Sequence, residues 1–325
     1  MATSLAEIRA KLQAQENRGG SQQSGGDNGI YAHWNIAEGT TARVRFLPDA
    51  DSKNSFFWIE RLMIKLPFAG IKGQPDSKPT FVQVPCVEMW GEACPVLAEV
   101  RTWFKDKSLE DMGRKYWKKK SYIFQGFVTE DGLAEKEKPE NPIRRFIIGP
   151  QIFTLIRSAL VDPELEDLPT DYINGLDFRL KKGSKGGYAD YSTSNWSRRT
   201  RPLNEHEASS VDKFGLYNLH DFLPKKPSEV ELKIIKEMFE ASVDGEAYDP
   251  ARWGQYFRPA GMSQQTGDPI KSQPSVNQAN PVVNDAPFTP SSQPEHVVQE
   301  TTSTASSDNR AADILAMIRN RNQAQ

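Results

Sequence analysis

Arg114, Lys115, Tyr116, Trp117, Lys118, Lys119, Lys120, Ser121 and Tyr122 place five cations within seven positions and set aromatic rings among them. That combination suits one chemistry above others: cations neutralise phosphates, and ring faces stack unpaired bases at about 1–3 kcal/mol per base. A second cluster repeats it, with Arg179, Lys181, Lys182 and Lys185, then Tyr188, Tyr191 and Trp196, then Arg198, Arg199 and Arg201, and Asp190 as the sole acid in that span. Arg144, Arg145 and Phe146 form a third in miniature, and Arg43 and Arg45 alternate so that a strand would carry both on one face. Any one basic run is as readily a solvated loop, and any one tyrosine can belong to a core. Three regions sharing one chemistry favour a groove for single-stranded nucleic acid.

Other chemistries lack their residues. No Gly-x-x-x-x-Gly-Lys-Ser/Thr loop occurs, Gly19 and Gly20 precede no strand-to-helix pattern, and His33, His206, His220 and His296 sit in no ligand or triad spacing. A metal nuclease built from scattered carboxylates is the remaining enzymatic alternative, and no catalytic activity is expected. A net charge of −2 argues against a nucleic-acid binder until its distribution is considered. Residues 101–204 hold 20 Lys plus Arg against 15 Asp plus Glu, whereas residues 205–262 hold 7 against 11.

These clusters must be positioned by a folded body. Strand-like runs, each bounded by Gly, Pro, Asp or Asn, cover 40–47, 56–64, 80–84, 120–128, 143–148 and 176–182. Apolar residues three and four apart predict helices over 95–104 and 151–160. A third helix over 228–243 opens after Pro227 with a Ser228/Glu231 capping pair. Gly183, Gly186 and Gly187 predict a mobile hairpin loop. The fold class expected is α+β: an OB-like five-stranded β-barrel core with additional helices and a side subdomain, flanked by flexible N- and C-terminal arms.

The arms follow from composition. Residues 1–16 read as a short amphipathic helix with Leu5, Ile8 and Leu12 on one stripe, too short to be stable until it docks. Residues 17–29 are a Gly/Ser-rich linker, and 263–307, rich in Pro, Gln, Ser and Asn, bury too little apolar surface to order. Residues 30–262 form the core, with all seven Trp, and 308–325 form a C-terminal peptide helix. Two cysteines, no apolar run near 18 residues and no leader-like start point to a cytosolic protein with no membrane span.

The chain resembles the single-stranded DNA-binding, helix-destabilising proteins of T-even-type tailed bacteriophages. The matching stretches, in order over about 30–204, are Val44-Arg45-Phe46-Leu47-Pro48, Ala93-Cys94-Pro95-Val96, Lys118-Lys119-Lys120-Ser121-Tyr122, Arg145-Phe146 before Gly149 and a helix, and Tyr188-Ala189-Asp190-Tyr191. The resemblance implies an OB-type barrel with a side subdomain, whose groove is lined by Lys118, Lys119, Lys120, Tyr122, Phe146, Tyr188 and Tyr191. It implies cooperative coating of the strand through the arm residues Leu5, Ile8, Arg9, Lys11 and Leu12.

Two departures matter. The family often holds a structural zinc through one His and three Cys, of which only Cys86 and Cys94 remain; Leu97 stands at the third Cys position. Two thiolates do not close a tetrahedral site, so no cofactor or metal is expected, with packing of Val87, Met89, Trp90, Leu97 and Val100 in its place. A Cys86–Cys94 disulfide is disfavoured in a cytosol. The family's tail is acidic, whereas residues 263–325 hold six acids against four Lys plus Arg.

That tail closes on Leu315-Ala316-Met317-Ile318-Arg319-Asn320-Arg321-Asn322-Gln323-Ala324-Gln325. It matches Leu5-Ala6-Glu7-Ile8-Arg9-Ala10-Lys11-Leu12-Gln13-Ala14-Gln15 at seven of eleven positions, with a Lys-to-Arg exchange besides. Coincidence between two Ala- and Gln-rich helices is one explanation; two versions of one docking peptide is the other. The function expected is cooperative, largely sequence-independent coating and protection of single-stranded DNA in phage replication, recombination and repair. Its partners would be single-stranded DNA, further copies of itself along the strand, and phage polymerase, helicase loader and recombinase, in the cytoplasm of the infected bacterial host. An RNA-binding translational regulator on the same fold is the alternative, separable through the 2′-hydroxyl.

Overall fold

Alternation sets the first strand. β1 (Thr41–Leu47) turns Ala42, Val44 and Phe46 into one core and Arg43, Arg45 and Leu47 to the opposite face. The computed structural model describes residues 29–135, 138–259 and 262. The expected arm helix over 1–16, with Leu5, Ile8, Arg9, Lys11 and Leu12, the linkers at 17–28 and 263–307, and the peptide at 308–325 lie outside them.

After β1 come β2 (Ile59–Phe68), β3 (Thr80–Pro85), helices α1 (Pro95–Trp103) and α2 (Glu110–Tyr116), then β4 (Lys119–Glu130) and β5 (Ile143–Ile148). Helix α3 (Pro150–Leu160) leads to β6 (Phe178–Lys181), the small hairpin β7 (Gly183–Lys185) and β8 (Tyr188–Asp190), and β9 (Asn195–Trp196). Helices α4 (Glu205–Phe214), α5 (Glu229–Val243) and α6 (Pro250–Trp253) follow. The six expected strands and the three helices expected in the core all occur, most with shifted ends and 143–148 with its ends as expected. Strand β2 starts three residues late and runs on to Phe68, because Leu66 and Phe68 continue its buried alternation. Helix α5 carries the expected Ser228/Glu231 capping box. Helix α4 was not anticipated, although Asn204 and Glu207 form the same box. No described helix is long and apolar enough to cross a membrane.

The strands pair antiparallel in one seven-stranded sheet of order β3-β2-β4-β1-β6-β9, with β5 on β4. Register explains the branching. Strand β2 pairs with β4 from Ile123 back to Lys119, and β1 pairs with it from Gln125 on to Glu130. The two therefore follow one another along one edge, and β5 occupies the other edge from Tyr122 to Phe127. This differs from the five-stranded barrel expected: among the described residues β9 and β5 do not pair, so the sheet stays open, and β2 and β3 extend it.

Three apolar clusters form. In the first, β1, β4, β5 and β6 close with α3 around Phe46, whose ring lies 4.8 Å from Phe124, 5.6 Å from Phe146 and 6.0 Å from Phe178. Gly126 permits this closeness, since a Cβ there would stand 2.1 Å from the Arg45 carbonyl oxygen. The second packs β2 and β3 against α1, α2, α5 and α6, with Val87, Leu97 and Val100 buried and Met89 and Trp90 against them. The third, Leu47, Phe127 and Ile143, lies under Leu203, Val211, Leu216 and Tyr217.

Arg45 is fully buried on β1. Its Nη2 donates to the Asp171 carbonyl at 2.6 Å and the Arg201 carbonyl at 3.1 Å, and Nη1 lies 3.8 Å from Asp177. Arg201 in turn bonds both Asp177 oxygens and both Glu207 oxygens at 2.7–3.0 Å. Desolvation lowers the Arg45 pKa, while hydrogen bonding to Glu207 raises that of Arg201. At Gly175 a Cβ would come within 2.2 Å of Arg45 Nη2. Breaking a buried ionic cluster by removing one member costs about 3–5 kcal/mol. Arg45→Ala should therefore lower unfolding free energy by about that much, measured by urea denaturation.

His33, buried beside Trp34 and Tyr191, is pushed down to about 4 by desolvation, with Lys182 adding to the effect. The unfolded chain takes up this proton near pH 6.5 and the fold only near pH 4. The corresponding stability, on the order of 3 kcal/mol, is present above about pH 6.5 and lost as pH falls towards 4. Unfolding curves across that window should show the loss, and His33→Phe should flatten it.

Candidate nucleic-acid interface

Leu62, Ile64, Leu66 and Phe68 enter the second core, so the alternate β2 residues Arg61, Met63 and Lys65 lie on the other face. Register brings Ser121 opposite Arg61, Lys119 opposite Met63, Gln83 opposite Lys65 and Phe81 opposite Pro67. None of these side chains is a carboxylate. Arg61 is buried and donates from Nε to Ser121 Oγ at 3.1 Å. Desolvation pushes its guanidinium down to about 10. Lys65 is lowered by desolvation and then by Lys119, and its Nζ sits 3.9 Å from the centre of the Phe81 ring. No described carboxylate offsets either shift. A desolvated cation without a counter-ion carries a free-energy cost that an incoming anion relieves.

Near the same end of β4 a ladder of rings runs inward. Phe56, 57% exposed, lies 4.7 Å from Trp58; Trp58 lies 5.3 Å from Phe153; Phe153 stacks on Tyr122 at 3.4 Å and 11°. Phe153 belongs to the start of α3, whose Gln151 also donates to Asp190 at 2.7 Å and accepts from the Tyr191 amide at 3.1 Å. One helical turn thereby fastens the β7–β8 hairpin beside the ladder. Gly186 and Gly187, at φ +60 and +81, form its turn, as two-residue hairpins require. Lys185 and Tyr188, paired across the hairpin, are left exposed, Tyr188 at 43%.

The remaining sequence candidates divide by burial. Arg114, Lys115, Lys119, Lys120, Arg179, Lys181, Arg198 and Arg199 are exposed. Of these, Arg114 pairs with Glu110 on α2, Lys120 pairs with Glu60 at 2.8 Å, and Arg179 bonds Asn195. Lys118 pairs with Glu88, and half-buried Trp117 packs on Phe104 and the second core. Lys182 donates to the Trp34 carbonyl at 2.6 Å. Arg43 pairs with Glu130 at 3.4 Å and stands opposite Arg179.

Eight assignments need correction, because their side chains are committed inside the fold. Arg45 belongs to the buried ionic cluster, and Arg201 to its half-buried edge. Arg144 makes two bonds to Glu135 and one to the Ile30 carbonyl. Arg145 lies buried with its guanidinium 4.0 Å from the Phe222 ring centre. Tyr116 donates to the Ser242 carbonyl within the second core. Phe146 and Tyr191 are buried in the first core, and Trp196 packs against Phe46 and Phe178 at its rim. To stack on a base, any of these rings would forfeit core contacts. Tyr122 is also buried but forms the inner rung of the ladder.

The clusters do not merge into one patch. Lys119 begins β4 and Arg43 faces its last residue, eleven positions away, roughly 35 Å along a strand. Arg61, Lys65, Phe56 and Trp58 are candidates that the sequence reading did not include. A signal was present: Arg61 falls within the strand expected over 56–64, Lys65 follows one residue beyond it on the same alternation, and Phe56, Phe57 and Trp58 form an aromatic triplet.

Cys86 and Cys94 are free and buried. Hydrogen bonding from Cys86, helped by backbone N–H groups of Leu97, Val96 and Val87, holds the Cys94 thiol below its ordinary range. Among the described residues no group of three His, Cys, Asp or Glu side chains is placed to hold a metal ion, so the donors present do not fit the zinc of the resembled family. No protein-family model and no curated protein matches this chain.

Because Arg61 has no counter-ion among the described residues, its removal should not weaken the fold. Arg61→Met is expected to leave unfolding free energy unchanged or raise it by up to about 2 kcal/mol in urea denaturation, the opposite of Arg45→Ala.

Proposed function

We propose that this chain is a single-stranded DNA-binding protein that coats and protects unpaired strands without sequence preference. The observation that carries this reading is the acid-free sheet face of Arg61, Lys65 and Lys119, where a buried guanidinium awaits an anion. A backbone phosphate supplies that charge; the ring ladder opening at Phe56 and Trp58, whose inner rung Tyr122 alternates with Ser121 and so lies on the sheet's other face, offers with Tyr188 on the hairpin ring faces to splayed bases. Lys115, Lys181, Lys185, Arg198 and Arg199 are further exposed cations.

The architecture supports the same reading. Strands β9, β6, β1, β4 and β5 wrap one core capped by α3, which we take as a partly open OB-like barrel, and the second core is then its side subdomain. With the resemblance to the T-even-type phage proteins, the proposal extends to cooperative assembly, to work with phage polymerase, helicase loader and recombinase, and to the cytoplasm of an infected bacterium. Melting of hairpins follows from mass action, since a ligand of unpaired strands shifts the equilibrium towards them.

Titration of the protein with oligo(dT) of increasing length, matched duplex and RNA, followed by Trp fluorescence at several salt concentrations, tests this. Expected are quenching by single-stranded DNA alone, affinity rising with length, and a salt slope near −0.7 per phosphate contacted. Arg61→Met should lower affinity roughly tenfold and remove about one contact from the slope. Equal binding to duplex, or none to either, would overturn the proposal, and a preference for RNA would favour the translational-regulator alternative.

A further inference from the structure

Four of the eight large exposed apolar side chains among the described residues fall in one short segment: Val161 at 76%, Leu168 at 66%, Ile173 at 71% and Tyr172. Five acids lie between 162 and 171, and no Lys or Arg occurs from 158 to 178. The segment is anchored from beneath. Pro169 and Thr170 are buried, the Asp171 carbonyl accepts from Arg45, the Pro169 carbonyl accepts from the Leu176 amide at 2.9 Å, and the Tyr172 carbonyl accepts from the Leu203 amide at 2.8 Å. Large exposed apolar side chains on an anchored, acidic segment are the mark of a binding face rather than of a loose loop.

We propose that this surface is the acceptor for the peptide that the chain carries twice, at 315–325 and 5–15. The complementarity is specific. Leu315 and Ile318, like Leu5 and Ile8, are three apart, a spacing that would put both on one side of a helical turn. The cations Arg319 and Arg321, matched by Arg9 and Lys11, follow on the same segment, and 315–325 contains no acid to oppose the acceptor's charge. Two versions of one sequence imply one site that both fit, so the two copies compete for it. If residues 263–314 act as the flexible tether that their composition predicts, they hold the C-terminal copy at a local concentration near millimolar, so that even weak docking is populated.

Zero-length carbodiimide coupling of the full chain, mapped by mass spectrometry, tests this directly. Lys11 is expected to join carboxylates among Asp162, Glu164, Glu166 and Asp167. Leu315→Asp with Ile318→Asp, which disables the competing copy, should raise the Lys11 yield roughly twofold. Arg321→Lys should create a second linkage to the same acids. Leu168→Ser with Ile173→Ser should abolish both linkages while leaving the urea midpoint unchanged, since these side chains are exposed. Lys11 coupling only to acids elsewhere, no coupling to these four, or a yield indifferent to the 315/318 change would overturn the proposal.

Discussion

Strand β4 carries hydrogen bonds to three neighbours, and most of the architecture follows from how they are shared out. Its first residues pair with β2, its last with β1, and its middle with β5 on the far edge. Both large cores therefore hang from one strand: Tyr122 and Phe124 face the first, and the β2 partner of Lys119 to Ile123 delivers Leu62 and Ile64 to the second. A register slip of one residue would reverse both at once. Gly126 protects that register, because any side chain there would meet the backbone of β1.

The basic residues show how environment, not residue type, decides a role. Arg45 is held by carbonyls and by Asp177, and it secures the loop around Asp171 and Gly175. Arg61, on β2, is also buried but among the described residues bonds the Ser121 hydroxyl and no carboxylate. One buried cation is part of the fold's own electrostatic balance. The other has no carboxylate partner among the described residues, and groups perturbed in this way are candidates for functional sites.

Helix α3 joins the two kinds of chemistry. Its first turn places Phe153 between Trp58 and Tyr122 and uses Gln151 to tie down the base of the β7–β8 hairpin. Segments more than 130 residues apart in the chain, from Phe56 to Tyr188, thereby come to one region. The residues that the ladder exposes are supported by rings that are not, so stacking at the rim is underwritten by packing behind it.

The local signals were legible in the sequence. Alternation located the strands, the Ser228/Glu231 pair located α5, and the glycines at 186 and 187 located the hairpin, because these depend on neighbours a few residues away. Composition likewise separated basic, aromatic clusters from the acidic stretch after them. What tertiary structure alone decided is which members of those clusters face water. Arg45, Arg144, Tyr116 and Phe146 have the residue types of a binding groove, yet packing and ion pairs from distant positions, Asp177, Glu135, Ser242 and Phe46, draw them inward. Arg61 and Trp58 came to notice only through partners brought by register and by α3. A side chain's partners across a sheet or a core are set by long-range pairing, and sequence spacing carries no record of that.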